Sequence, residues 1–206
     1  MSHDPEVQVD VFADVWCPFA HVGLRRFVER RAEHGRPASL LVRAWPLEWV
    51  NGRPMDPAFI GAEVEQIRAT VAPDLFAGFD PDRFPTTTVP ALQLTSRAYR
   101  ASVSTGEAVA LELRDRLFER GEDVGDPQVL VAVAVAHGLE PTEGDDLVRT
   151  DWREGQSRGV IGSPHFFTPG GSFFCPALDV SNVDGHLRIT ADPAGFDAFV
   201  AACFAG

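Results

Sequence analysis

Cys17 is the residue around which chemistry can be built. It is followed by Pro18, and the pair closes a stretch from Val7 to Val15 in which Val and Phe alternate with Gln and Asp. That alternation reads as a half-buried strand. Proline is tolerated in the first turn of a helix, so Cys17 falls at a predicted helix N-terminus. Unpaired amides and the helix dipole favour an anion there, and comparable sites bring a thiol from about 8.5 down to roughly 3.5–7.5. The expectation is a low-pKa, accessible thiol able to act as a nucleophile; a buried, inert cysteine is the alternative. His21 stands four residues on, on the same helix face. It can bond the thiolate or a substrate carbonyl, move a proton, or simply pack, and both kinds of role stay open. Trp16, Phe19, Trp45 and Trp49 can line an apolar pocket over Cys17 or belong to the core.

The other cysteines are less promising. Cys175 is the one candidate for a resolving thiol, but a disulfide needs Cα atoms within about 7 Å. A packing role in a strand is the favoured reading. Cys203 reads as filler in the last helix. Asp10 and Asp14 read as cap or solvent residues, and His165 as a strand residue. No metal-ligand spacing, phosphate-cradling glycine loop or Gly-x-Ser-x-Gly elbow is present.

The elements that must position Cys17 follow from periodicity. Phe19, Val22, Leu24, Phe27 and Val28 form an apolar stripe that ends at Gly35-Arg36-Pro37. Ala38 to Trp45 reads as a second, parallel strand, giving a β-α-β unit. Pro and Gly punctuate residues 46–90. Helical patterns follow over Ala91 to Thr105, Glu107 to Arg120, Asp126 to Gly138 and about Glu143 to Gly155. Strands return after Gly159: His165-Phe166-Phe167, a Thr168-Pro169-Gly170-Gly171 turn, and Ser172 to Cys175. A last helix starts near Asp192-Pro193. The fold class is α/β, β-α-β … β-β-α with a large helical insertion. Residues 7–45 and 157–206 form one domain and 46–156 the inserted helical subdomain.

Composition narrows the function. The chain has 206 residues with 45% apolar content, enough for a sizeable core. Its formal charge is −12 and all 18 basic residues are Arg. Such a surface repels phosphate backbones, so nucleic acid is not the expected partner. Without Lys, a Schiff-base mechanism is excluded. Three cysteines without framework spacing, no signal-like N-terminus and no long apolar run predict a soluble cytoplasmic protein that spans no membrane.

Taken in order, Asp14-Val15-Trp16-Cys17-Pro18-Phe19-Ala20-His21-Val22-Gly23, Arg43-Ala44-Trp45-Pro46-Leu47, Asp126-Pro127 through His137-Gly138-Leu139, and Gly159 to Pro164 resemble the DsbA-like family of the thioredoxin superfamily. That group includes FrnE-type oxidoreductases, 2-hydroxychromene-2-carboxylate isomerases and kappa-class glutathione transferases. The resemblance implies a thioredoxin-like fold, a cis Ser163–Pro164 bond beside Cys17, and ligand pairing by the Ser163 backbone. It makes Cys17 and His21 the catalytic candidates, with Pro18, Phe19, Trp45, Ser163 and Pro164 binding substrate or thiol. The redox members carry Cys-Pro-x-Cys, whereas this chain has Cys-Pro-Phe-Ala, so Ala20 removes the second thiol. The implied activity is monothiol exchange with a low-molecular-weight thiol as co-substrate, no tightly bound cofactor and no metal. The alternatives are a thiol-dependent isomerase or transferase and a non-catalytic ligand-binding module. The substrate is a small molecule or thiol; a homodimer is compatible with the family. Glutathione users place an Asp after the hairpin, where this chain has Phe174-Cys175-Pro176-Ala177, with Asp179 nearby.

Overall fold

A computed structural model describes residues 7–140, 146–183 and 186–205. β1 (Val7–Ala13) is one of the two inner strands of a sheet ordered β2-β1-β3-β4. β2 (Ala38–Ala44) runs parallel to it, from Val7 opposite Ala38 to Ala13 opposite Ala44. β3 (His165–Thr168) pairs antiparallel on its other side, with Val11 opposite Phe166, and β4 (Gly171–Phe174) follows through a tight turn. The strands around Val9 and Phe166 therefore share one sheet. A separate antiparallel hairpin, β5 (Leu178–Val183) and β6 (His186–Ala191), lies between β4 and the last helix. The sequence reading did not include it.

α1 (Pro18–His34) connects β1 to β2 and stops at Gly35, whose positive φ of 73° is where glycine avoids a Cβ penalty. The middle of the chain supplies α2 (Leu47–Asn51), α3 (Pro57–Thr70), α4 (Val89–Ala101), α5 (Val103–Phe118), α6 (Pro127–Ala136) and α7 (Leu147–Ser157). The C-terminal helix is α8 (Pro193–Cys203). Asp56, Asp126 and Asp192 each cap a helix whose first residue is proline. The helix expected over Ala91 to Thr105 is instead broken at Ser102. Its hydroxyl accepts from the Thr105 amide at 3.0 Å and starts α5 earlier than predicted. The start of the helix expected from Glu143 lies outside the described residues; its described part is α7.

Two large cores result. One, between the sheet, α1 and α8, contains Val9, Val11, Leu24, Phe27, Phe166, Phe199 and Cys17. The other lies under the helical region and contains Trp16, Ile60, Val64, Phe76, Phe118 and Cys175. The helices are tied to the edge strand by polar contacts. The Tyr99 hydroxyl donates to the Leu40 carbonyl at 2.8 Å and accepts from the Val42 amide at 2.9 Å. Glu107 accepts from the Leu40 amide at 3.2 Å and pairs with Arg31. These contacts cover an edge that would otherwise present unpaired backbone groups. Among the described residues, no helix is long and apolar enough to cross a membrane.

Close packing on Tyr99 gives a direct test of this staple. A Cβ on Gly106 would lie 2.2 Å from the Tyr99 ring, and Tyr99 is held by the two β2 hydrogen bonds. Gly106→Ala is expected to destabilise by about 1–3 kcal/mol despite its better helix propensity. Urea unfolding measures this; an unchanged or raised midpoint would contradict the packing described.

Candidate active site

Cys17 caps α1 as expected, with Pro18 as the first helical residue. Its surroundings are not as expected. The side chain is buried at 3% exposure, and its Sγ lies 3.1 Å from the Ser163 carbonyl oxygen, to which the thiol donates. Burial pushes the thiol up from an ordinary 9 to about 12. Interactions with Ser163 and the Ala20 amide favour the thiolate without offsetting burial, and the carboxylates of Glu63 and Asp14 add to the rise. The expected low-pKa, accessible thiol is thus corrected: desolvation outweighs the helix terminus.

Ser163 meets Cys17 directly, through the carbonyl of its peptide bond to Pro164. The Ser163–Pro164 peptide bond is cis. The Ser163 carbonyl takes the Cys17 thiol, and its hydroxyl accepts from the Asp14 amide at 3.0 Å. Gly23, on the second turn of α1, sits where a Cβ would lie 3.7 Å from the Pro164 ring. Pro18 is buried in the same turn, and Phe19, half-buried, packs against both large cores.

His21 and Trp45 go elsewhere. The His21 ring is buried and its Nε2 lies 2.7 Å from Glu119 of the helical region, packed between Phe76 and Phe118. Burial lowers the His21 pKa, with Glu119 opposing. Burial would raise the Glu119 carboxyl, yet the His21 ring and the Phe76 and Ala77 amides together pull it down to about 2. A neutral imidazole donating to an ionised Glu119 fits both directions. The ring thus spends its polar contact on Glu119 and not on the thiol. Trp45 belongs to a small cluster with Phe12 and Val160, its ring centroid 4.2 Å from that of Trp152 at a 30° tilt. It lines the far side of β2 rather than the thiol. His165 is buried, accepts from the Ile161 amide at 3.3 Å and stacks on Phe167. Cys203 is buried in the α8 core.

The sequence reading underrated Asp14 and missed Glu63. Asp14 is fully buried, not a solvent residue. One carboxylate oxygen accepts from the Val15 amide and the Thr88 hydroxyl, both at 2.6 Å, and the other from the Leu47 amide at 2.6 Å. Its carbonyl accepts from the buried Arg114 at 3.1 Å. Burial raises its carboxyl to about 6, while these hydrogen bonds and Arg114 restrain the rise. Asp10, also largely buried, receives a 2.6 Å bond from Arg158. Glu63, on α3, is 6% exposed, and burial alone pushes its carboxyl to about 7. Its charge is felt by both Cys17 and Cys175. Among the described residues there is no cluster of three or more metal-ligating side chains.

A helix opened by Cys-Pro, a cis X-Pro bond against the cysteine and a β-α-β … β-β frame define a protein of thioredoxin type. The profile of the DSBA-like thioredoxin domain matches residues 8–188, and the chain belongs to that family. Solved structures agree on the fold. A probable DsbA oxidoreductase from Streptomyces coelicolor is 24% identical, with TM-score 0.59, covering 78% of this chain and 80% of that one. The cytosolic disulfide reductase DsbM from Pseudomonas aeruginosa is 13% identical, with TM-score 0.59 and coverage of 94% and 97%; it is also known in a structure with GSH. A 2-hydroxychromene-2-carboxylate isomerase is 13% identical, with TM-score 0.60 and coverage of 81% and 88%. No curated protein sequence matches the chain.

The buried carboxyl of Glu63 makes stability depend on pH with a definite sign. The unfolded chain releases this proton near 4.5, whereas the folded protein holds it to about 7. Between those values the native state binds more protons, so stability falls as pH rises, and the loss is complete above the folded value. Glu63→Gln carries no such proton. Its stability relative to the wild type should rise from pH 4 to pH 8 by up to about 3 kcal/mol. Parallel urea unfolding at the two pH values checks this; equal pH dependence in both proteins would contradict it.

Proposed function

We propose that the protein carries out thiol–disulfide exchange through Cys17, the single cysteine of its motif, with an external low-molecular-weight thiol closing the cycle. The observation that carries this reading is the Cys17 Sγ seated on the Ser163 carbonyl, directly beside a cis proline, in a chain of the DSBA-like family. The same backbone position can receive a substrate as an added strand would. Ile161 and Phe174, 72% and 49% exposed, flank this segment as apolar surface for it.

Cys17 attacks a substrate disulfide. A bond forms between Sγ and one substrate sulfur, the substrate S–S bond breaks, and the other sulfur leaves as a thiolate that takes up the thiol proton. Ala20 cannot then attack the mixed disulfide, so an external thiol does, restoring Cys17 and releasing a new disulfide. Glutathione is a fitting thiol class, since the fold neighbour DsbM has been solved with it. Pro18, Phe19, Ser163 and Pro164 form the binding surface. His21 acts by fixing the α1 turn to the helical region, and Trp45 by holding α7 to β2. Residues 7–45 and 157–206 serve as the thioredoxin-like domain and 46–156 as its helical cover, in a protein working in the reducing cytoplasm on small thiols.

An isomerase of the 2-hydroxychromene-2-carboxylate type is the second reading. It draws on the shared fold and on Asp179, which lines a groove of about 550 Å³ with Phe174 and Cys175.

Cys17→Ser should reduce the release of free thiol from glutathione disulfide to the uncatalysed background, while Cys203→Ser leaves it intact. Thiol quantification after mixing reads the result. Undiminished release in Cys17→Ser would refute this function.

A further inference from the structure

Cys175 was expected to pack in a strand, too far from Cys17 for a disulfide. It follows the end of β4, is buried in the core, and its backbone reaches the cis-proline segment that Cys17 contacts. Its amide donates to the Pro164 carbonyl at 2.9 Å, while the Cys17 thiol donates to the Ser163 carbonyl at 3.1 Å. The Cys17 thiol and the Cys175 backbone thus bond adjacent carbonyls of the same cis dipeptide. Cys175 has φ 48°, the left-handed region that side chains seldom adopt. Such strain persists where the surroundings impose it. It is buried at 7% exposure yet lines the 550 Å³ groove between β4, β6 and α8. Both thiols are free.

We propose that Cys175 is the resolving thiol that Ala20 does not supply, closing a Cys17–Cys175 disulfide across Ser163–Pro164. This rests on exchange at Cys17 and gives the mixed disulfide a second exit, inside the protein. The balance is simple. With Cys17 bonded to a substrate sulfur RS, the Cys175 Sγ attacks the Cys17 Sγ. The Cys17–SR bond breaks and RS⁻ departs. The Cys175 proton is taken up by RS⁻ as it leaves. Over both steps one substrate disulfide is reduced to two thiols and the cysteine pair is oxidised. External thiols reduce the pair again. Burial raises the Cys175 thiol, with the charges of Cys17 and Glu63 adding to it, so its proton must leave as it attacks.

The test is anaerobic reaction of the reduced protein with glutathione disulfide, followed by peptide mapping and quantification of released glutathione. The wild type should end as a Cys17–Cys175 disulfide with two equivalents released. Cys175→Ser should stop as a glutathione mixed disulfide on Cys17 with one equivalent released. A wild type that accumulates the mixed disulfide, with no bond to Cys175, overturns this inference and leaves exchange at Cys17 standing. No adduct and no internal disulfide in the wild type overturns both. The wild-type map alone decides the matter if Cys175→Ser does not fold.

Discussion

The buried carboxylate of Asp14 is the contact on which the rest of the structure depends. It lies at the end of β1, three residues before Cys17, and reaches every part that meets there. Its oxygens satisfy the Leu47 amide at the start of α2, the Thr88 hydroxyl at the start of α4 and its own neighbour Val15. Its backbone amide donates to Ser163, and its carbonyl receives Arg114 from α5. A neutral side chain of similar size could not accept all three donors. Each buried donor left without a partner costs about 1–3 kcal/mol. One carboxylate therefore registers the helical region and the cis-proline segment against the strand that delivers Cys17.

That registration also explains why Cys17 is not an activated thiolate at rest. A helix terminus contributes at most about 2 kcal/mol to an anion, equivalent to roughly 1.5 pKa units. The Cys17 thiol moves the other way, from 9 to about 12, because the helical cover excludes water from it. Two carboxyls are likewise raised by burial, Asp14 to about 6 and Glu63 to about 7, and their charges add to the rise at Cys17. Ionisation of Cys17 is therefore what burial opposes.

Much of this was legible in the sequence, and the failures have physical reasons. β1, α1, β2 and the β3–β4 hairpin follow from local periodicity and from Cys-Pro and Pro-Gly-Gly punctuation. The family resemblance brought Cys17 to Ser163 and expected a cis bond to Pro164, and both are found. α3 was hidden by the surrounding Pro and Gly, although Asp56-Pro57 is the same start signal that marked α6 at Asp126-Pro127. His21 shares a helix face with Cys17, but its partner Glu119 lies 98 residues away, and spacing along one helix cannot show that. Trp45 follows the same pattern, since Trp152 captures it from α7. Glu63 carries no motif; a lone carboxylate becomes notable only once the fold buries it. The expectation for the Cys17 pKa failed because a helix terminus is visible in a sequence and the cover above it is not.

Thiolate absorbance of Cys17 as the sole cysteine, in a Cys175→Ser/Cys203→Ser variant titrated against pH, tests the central claim that burial governs this thiol. The account predicts no appreciable thiolate up to pH 9, with ionisation only well above the free value of about 8.5. A titration with its midpoint below 8.5 in the folded variant would contradict it.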